Sequence, residues 1–116
     1  MNIKLIYISN NKNNNIELLV EDYEKKINHF ISYSSIGLKN KNQKTEKKLI
    51  QKSESVLILK NIKSNDLVIL LDEKGKEFST LDFSKFISNK MMNRTKNIVF
   101  IIGGAYGFST EFKEKF

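Results

Sequence analysis

The chain has 116 residues, enough for one domain with a modest core and too few for two. Its 20 Lys and Arg against 13 Asp and Glu leave a net charge of +7, which favours a polyanionic partner, RNA or DNA before membrane. With no cysteine and one histidine, disulfides, thiolate zinc centres, cysteine nucleophiles and two-histidine metal sites are all excluded.

No apolar run approaches the about 20 residues that span a bilayer, and the N-terminal MNIKLIYIS lacks a signal-peptide layout. A soluble, cytoplasmic protein is expected. Ile3, Leu5, Ile6, Tyr7 and Ile8 make a first strand, which ends at Ser9 in the polar loop NNKNNN. Asn14 or Asn15 can cap the helix that follows. Its Ile16, Leu19, Val20, Tyr23, Ile27 and Phe30 recur every three or four residues and form one apolar face. Glu17, Glu21 and Asp22 crowd its first half and Lys25, Lys26 and His29 its second, as the helix dipole favours.

Residues 31–38 read as a weaker strand, whose serines predict an exposed position. A second helix enters near Thr45, with Leu49, Ile50, Val56, Leu57 and Leu59 as its expected buried side. Leu67 to Leu71 is a continuous apolar run and predicts a central strand, closed by a turn at Asp72-Glu73-Lys74-Gly75. Ser79 caps a third helix, with Asp82 three residues on and Phe83, Phe86 and Ile87 facing inward. Ile98 to Ile102 is again unbroken and β-branched. It stops at Gly103-Gly104, and one more helix starts at Thr110. Strands alternating with helices predict a mostly parallel α/β sheet, with right-handed crossovers and helices on its faces.

In open α/β sheets ligands bind at the carboxyl ends of the strands. That directs attention to the glycine-rich turn after Ile102 and to Leu71-Asp72, which ends on the same edge. Gly103, Gly104 and Gly107 match neither G-x-G-x-x-G nor G-x-x-x-x-G-K-[ST]. They form either a bare backbone that a flat, adenine-bearing ligand can approach, or a tight turn that needs positive φ. Asp72 can bond a ribose or simply begin its β-turn. Lys39, Lys41, Lys44, Lys47, Lys48 and Lys52 are the densest basic stretch, either a phosphate-contacting surface or a solvated face.

The sequence LLDEKGKEFSTLDFSKFI, followed by IVFIIGGAYGFS, resembles the RlmH family, SPOUT-class methyltransferases of bacterial large-subunit ribosomal RNA. The strand-D-x-x-G-K turn, the S/T-x-x-F helix entry and the IGG-x-x-G-[FL]-S loop occur together and in order. MNIKLIYI and the helix ending YEKKINHF agree with it, so the resemblance covers essentially the whole chain as one domain, 1–116. It implies methylation of N3 of a pseudouridine with S-adenosyl-L-methionine, by a homodimer and without a metal. Leu71 and Gly103 would line the cofactor pocket and Gly104 and Gly107 shape its loop; no catalytic residue can be named. Methyl transfer from a sulfonium needs in-line positioning more than a strong nucleophile, so the lack of histidine and cysteine motifs is no obstacle.

The family chain continues beyond the residues matched here, through a tail that is threaded into the trefoil knot and completes the pocket. The expectation is therefore a SPOUT-like α/β-knot fold with its knot-forming C-terminal part absent, leaving Phe112 and Phe116 without partners. The rival reading is a non-catalytic remnant, at most a basic RNA-binding module.

Overall fold

The apolar run before the double glycine can bury both faces only if strands flank it and helices cover it, and that is its position. In the computed structural model, which describes residues 1–8, 14–40 and 46–116 and only the backbone of residues 14–16, eight elements alternate. They are β1 (Asn2–Ile8), α1 (Asn14–Asn28), β2 (Ser32–Leu38), α2 (Lys47–Leu59), β3 (Leu67–Leu71), α3 (Thr80–Met92), β4 (Asn97–Ile102) and α4 (Thr110–Lys115). The expected strand end at Ser9, the side-chain cap at Asn14 or Asn15, the helix entry at Thr45, and Lys41 and Lys44 lie outside what is described.

The sheet is wholly parallel, in the order β2-β1-β4-β3. Strand β4 lies between β1 and β3, and Ile98, Val99, Phe100 and Ile101 are buried. One face carries Ile6, Val99 and Ile101, which form the core with Ile58 of α2 and with Phe108 and Phe112. The other carries Phe100, whose ring meets Phe83 of α3 at 5.8 Å. It also carries Tyr33, in register with Ile3 and hydrogen-bonded to Glu24 of α1. Helices thus cover both faces, α2 and α4 on one and α1 and α3 on the other. An α/β fold with a parallel sheet is what the alternation predicts.

Four expectations need correction. Strand β3 is not central: it pairs only with β4 among the described residues, and the second central strand is β1. A continuous apolar run also suits an edge strand when helices half-bury both of its faces, as here. The α1 face is present but uncovered, with Leu19, Tyr23 and Phe30 exposed, because the helix rests on the edge strand β2. The buried side of α2 is Gln51, Glu54 and Ile58, whereas Leu49 and Val56 are exposed. In α3 the inward residues are only partly covered, and Phe83 keeps substantial exposure.

The Ser79 cap follows the sequence, and Ser109 caps the helix expected from Thr110. Ser79 Oγ accepts the Asp82 N–H at 3.1 Å, and Ser109 Oγ accepts that of Phe112 at 3.1 Å, each satisfying a helix-start donor. Helix α3 ends less comfortably. Thr95 N–H bonds the Lys90 carbonyl and Arg94 N–H that of Met91, a Schellman motif that puts Arg94 at φ 59°. A left-handed position disfavours a side chain, so Arg94→Gly should raise stability by about 0.5–1 kcal/mol once glycine's greater unfolded freedom is subtracted. Urea denaturation would measure it; an equal or lower midpoint would contradict the cap assignment.

Candidate functional site

The carboxyl ends of β3 and β4 stand side by side, Leu71 in register with Ile102. Both side chains are unusually open for strand residues, 45% and 42% exposed. From Ile102 the chain enters Gly103 and then a turn over residues 104–107, closed by Gly107 N–H donating to the Gly104 carbonyl at 3.0 Å. Gly107 has φ +67°, so the positive-φ reading of this glycine holds. Phe108 follows. Its ring lies beside Gly103, and it stacks on Phe112 at 5.5 Å, anchoring the loop in the core. Phe112 therefore has its partners in the core, contrary to expectation, and only Phe116 stays exposed.

Helix α2 holds the loop from the other side through polar groups. Gln51 Nε2 donates to the Tyr106 carbonyl at 2.9 Å. The Gly104 N–H donates to the Glu54 carboxylate, and a Cβ at Gly104 would come within 2.5 Å of both carboxylate oxygens. Glu54 is only 6% exposed, and its Oε2 has no hydrogen-bond partner among the described residues. Burial pushes its carboxyl pKa up, and the hydrogen bond from Gly104 pulls it partly back.

This shift has a consequence for stability. The folded chain keeps the Glu54 proton to a higher pH than the unfolded chain, in which the group titrates near 4.5. The folded state binds more protons in that window, so the contribution is most favourable below 4.5 and declines as pH rises through the folded value. Glu54→Gln should remove the decline, so the variant's stability relative to wild type should grow between about pH 4 and about pH 7. Urea midpoints across that range would show it; parallel profiles would refute the burial argument.

Asp72 begins its turn as expected, its carbonyl accepting Gly75 N–H at 2.9 Å. Its carboxylate pairs with Lys113 of α4 at 2.9 Å, and that bond holds its pKa below the usual aspartate value. The end of β3 is thereby tied to α4. Between the Asp72 turn, the glycine loop and the start of α2 lies an open cleft of about 650 Å³. Gly104 and Gly107 line it, and Lys47, Lys48, Lys74 and Lys113 give it a basic wall. Lys52 lies on the next groove, between α2 and α4.

The four glycine-loop and strand-end residues thus divide. Gly104 and Gly107 share the cleft, and Gly103 leads into it from the end of β4. Leu71 belongs to a separate hollow of about 330 Å³ on the opposite face, with Phe78, Phe83, Phe86 and Phe100. Among the described residues no cluster of His, Asp or Glu could hold a metal ion, and no helix is long and apolar enough to cross a membrane. Sequence reasoning missed Gln51, Glu54 and Lys113. The spacing of Gln51, Glu54 and Ile58 along one helix face was the available signal for the first two.

A family profile described as "Predicted SPOUT methyltransferase" matches residues 1–116. The chain is 43% identical over 117 residues to "Ribosomal RNA large subunit methyltransferase H" of Flavobacterium psychrophilum, an alignment covering 99% of this chain and 74% of that protein. The same-named protein of Flavobacterium johnsoniae is 39% identical, with 99% and 74% covered. That of Clostridium tetani is 36% identical, with 96% and 73% covered. The all-parallel sheet, the glycine loop at its carboxyl edge and these full-chain similarities agree, and the protein belongs to the SPOUT methyltransferases, among the relatives of ribosomal RNA large subunit methyltransferase H.

Proposed function

We propose that this protein methylates large-subunit ribosomal RNA at N3 of a pseudouridine, using S-adenosyl-L-methionine bound at the carboxyl ends of β3 and β4. In this reading residues 1–116 act as one methyltransferase domain, in a cytoplasmic homodimer. The observation that carries it is the pairing of Leu71 with Ile102, two half-open apolar side chains, next to a glycine loop. Apolar strand ends beside bare backbone suit a flat purine ring, and the residues present fit the cofactor in that respect.

Leu71 and Ile102 would hold the ring by apolar contact from their own face of the sheet, with the ring lying across the strand ends towards the glycine loop. Gly103 and Gly104 would let main-chain groups approach its edge, and Gly107 would keep the loop turned. The bound cofactor supplies an electrophilic methyl group on a sulfonium. The chain's own task is to fix that group and the target base in line and to exclude water. Lys47, Lys48 and Lys74 on the cleft wall would hold RNA phosphates by charge, without reading sequence.

Titration calorimetry of the 116-residue protein with S-adenosyl-L-methionine is the test, followed by methyl transfer to large-subunit RNA lacking the modification. Micromolar binding and transfer support the reading. No heat from a folded protein overturns it, and salt-sensitive RNA affinity alone would leave a basic RNA-binding module.

A further inference from the structure

We propose that Glu54 is the positioning residue of the glycine loop: its carboxylate, fixed in the core by α2, holds the Gly104 peptide in the conformation that receives the cofactor. This rests on the functional reading above and adds to it a residue from α2, outside the two strand ends and the glycine loop.

Helix α2 buries three side chains, and two of them are polar. Both reach the same loop. Gln51 takes the Tyr106 carbonyl at 2.9 Å and Glu54 takes the Gly104 N–H, so the turn hangs between two attachments one helical turn apart. A helix that merely packed on the sheet would be better served by leucine at position 54, because a buried carboxylate with an unpartnered oxygen is costly. What the carboxylate supplies, and leucine cannot, is an acceptor for a main-chain donor of the loop. The contact is reciprocal. Only a residue without Cβ at position 104 lets the carboxylate come so close, since a Cβ there would lie 2.5 Å from its oxygens.

The test compares wild type, Glu54→Gln and Glu54→Leu in the full chain, reading S-adenosyl-L-methionine affinity by calorimetry, stability in urea and amide exchange at Gly104 by NMR. Glu54→Leu should keep or raise the urea midpoint, exchange the Gly104 amide at least tenfold faster and bind the cofactor at least tenfold more weakly. Glu54→Gln keeps the acceptor and should stay within threefold of wild type in affinity and exchange. A purely structural role would instead lower stability and affinity together. Cofactor binding by Glu54→Leu equal to wild type overturns this role alone, whereas a wild type that binds no cofactor overturns the functional reading and this role with it. Should Glu54→Leu not fold, Gly104→Ala tests the same contact from the loop side. A tenfold loss of affinity is again expected, and unchanged affinity overturns the proposal.

Discussion

Phe112→Ala is expected to destabilise the protein by about 3–5 kcal/mol, the range for emptying a buried phenylalanine site. Phe112 is 2% exposed and sits between the Phe108 ring at 5.5 Å and the Phe116 ring at 5.2 Å. It joins Ile6, Ile58, Val99 and Ile101 in the core. Domains of this kind hold about 5–15 kcal/mol in total, so the substitution removes a large part of it. The damage should be felt at the site, because Phe112 anchors both Phe108, which follows the glycine loop, and α4, whose Lys113 pairs with Asp72. Urea denaturation should show a much lower midpoint at an unchanged slope. A loss under about 1 kcal/mol would mean that α4 is not part of the core.

The second large effect is expected at Gly103. A Cβ built there lies 3.2 and 3.3 Å from Phe108 ring atoms and 3.4 Å from the Gly107 carbonyl carbon. Alanine should fit with a small shift. Valine adds two methyl groups against a ring that is itself packed on Phe112, and overpacking of this kind costs about 1–3 kcal/mol. If the loop yields, that energy appears as displaced backbone at the proposed cofactor site, a loss in affinity of about 10- to 100-fold. Calorimetry on Gly103→Ala and Gly103→Val, with urea midpoints alongside, would separate binding from folding. Equal affinity for the valine variant and wild type would remove Gly103 from the site.

What the sequence disclosed and what it hid follow from the range of the interactions involved. Strands β3 and β4 were legible because five or more apolar residues in a row, stopped by a turn or by glycine, leave little other choice. The Ser79 start was legible because capping is a contact across three residues; the last helix was expected from Thr110, but its Ser109 cap was not read from the sequence. The strand order was not. Whether LVILL is central or at the edge depends on which strand arrives beside it, and local pattern carries nothing about that. The same gap explains α1, whose apolar spacing is correct but whose support is an edge strand. In α2, hydrophobicity pointed to Leu49 and Val56, whereas the buried face is set by what the loop at residues 103–107 requires, an amide and a carboxylate. The Asp72–Lys113 pair joins residues too far apart for any spacing rule. At the site, the strand ends were found from their sequence and the glycines from their number. Their supports on α2 and α4 needed the tertiary structure.

The place of β4 also sets the order in which the molecule can be assembled. This strand is the last of the four to be synthesised, yet it separates β1 from β3, and the Asn2 and Asn97 side chains that meet at its start are 95 positions apart. A nascent chain that has reached only Lys96 can pair β1 with β2, but β3 has no neighbour to join. The central hydrogen-bond ladders close only when residues 97–102 have cleared the ribosome and inserted between two waiting strands. Such non-local closure makes folding slow and leaves apolar edges open in the interval. The sheet should therefore close only when β4 arrives, with β3 the segment most in need of protection by chaperones until then.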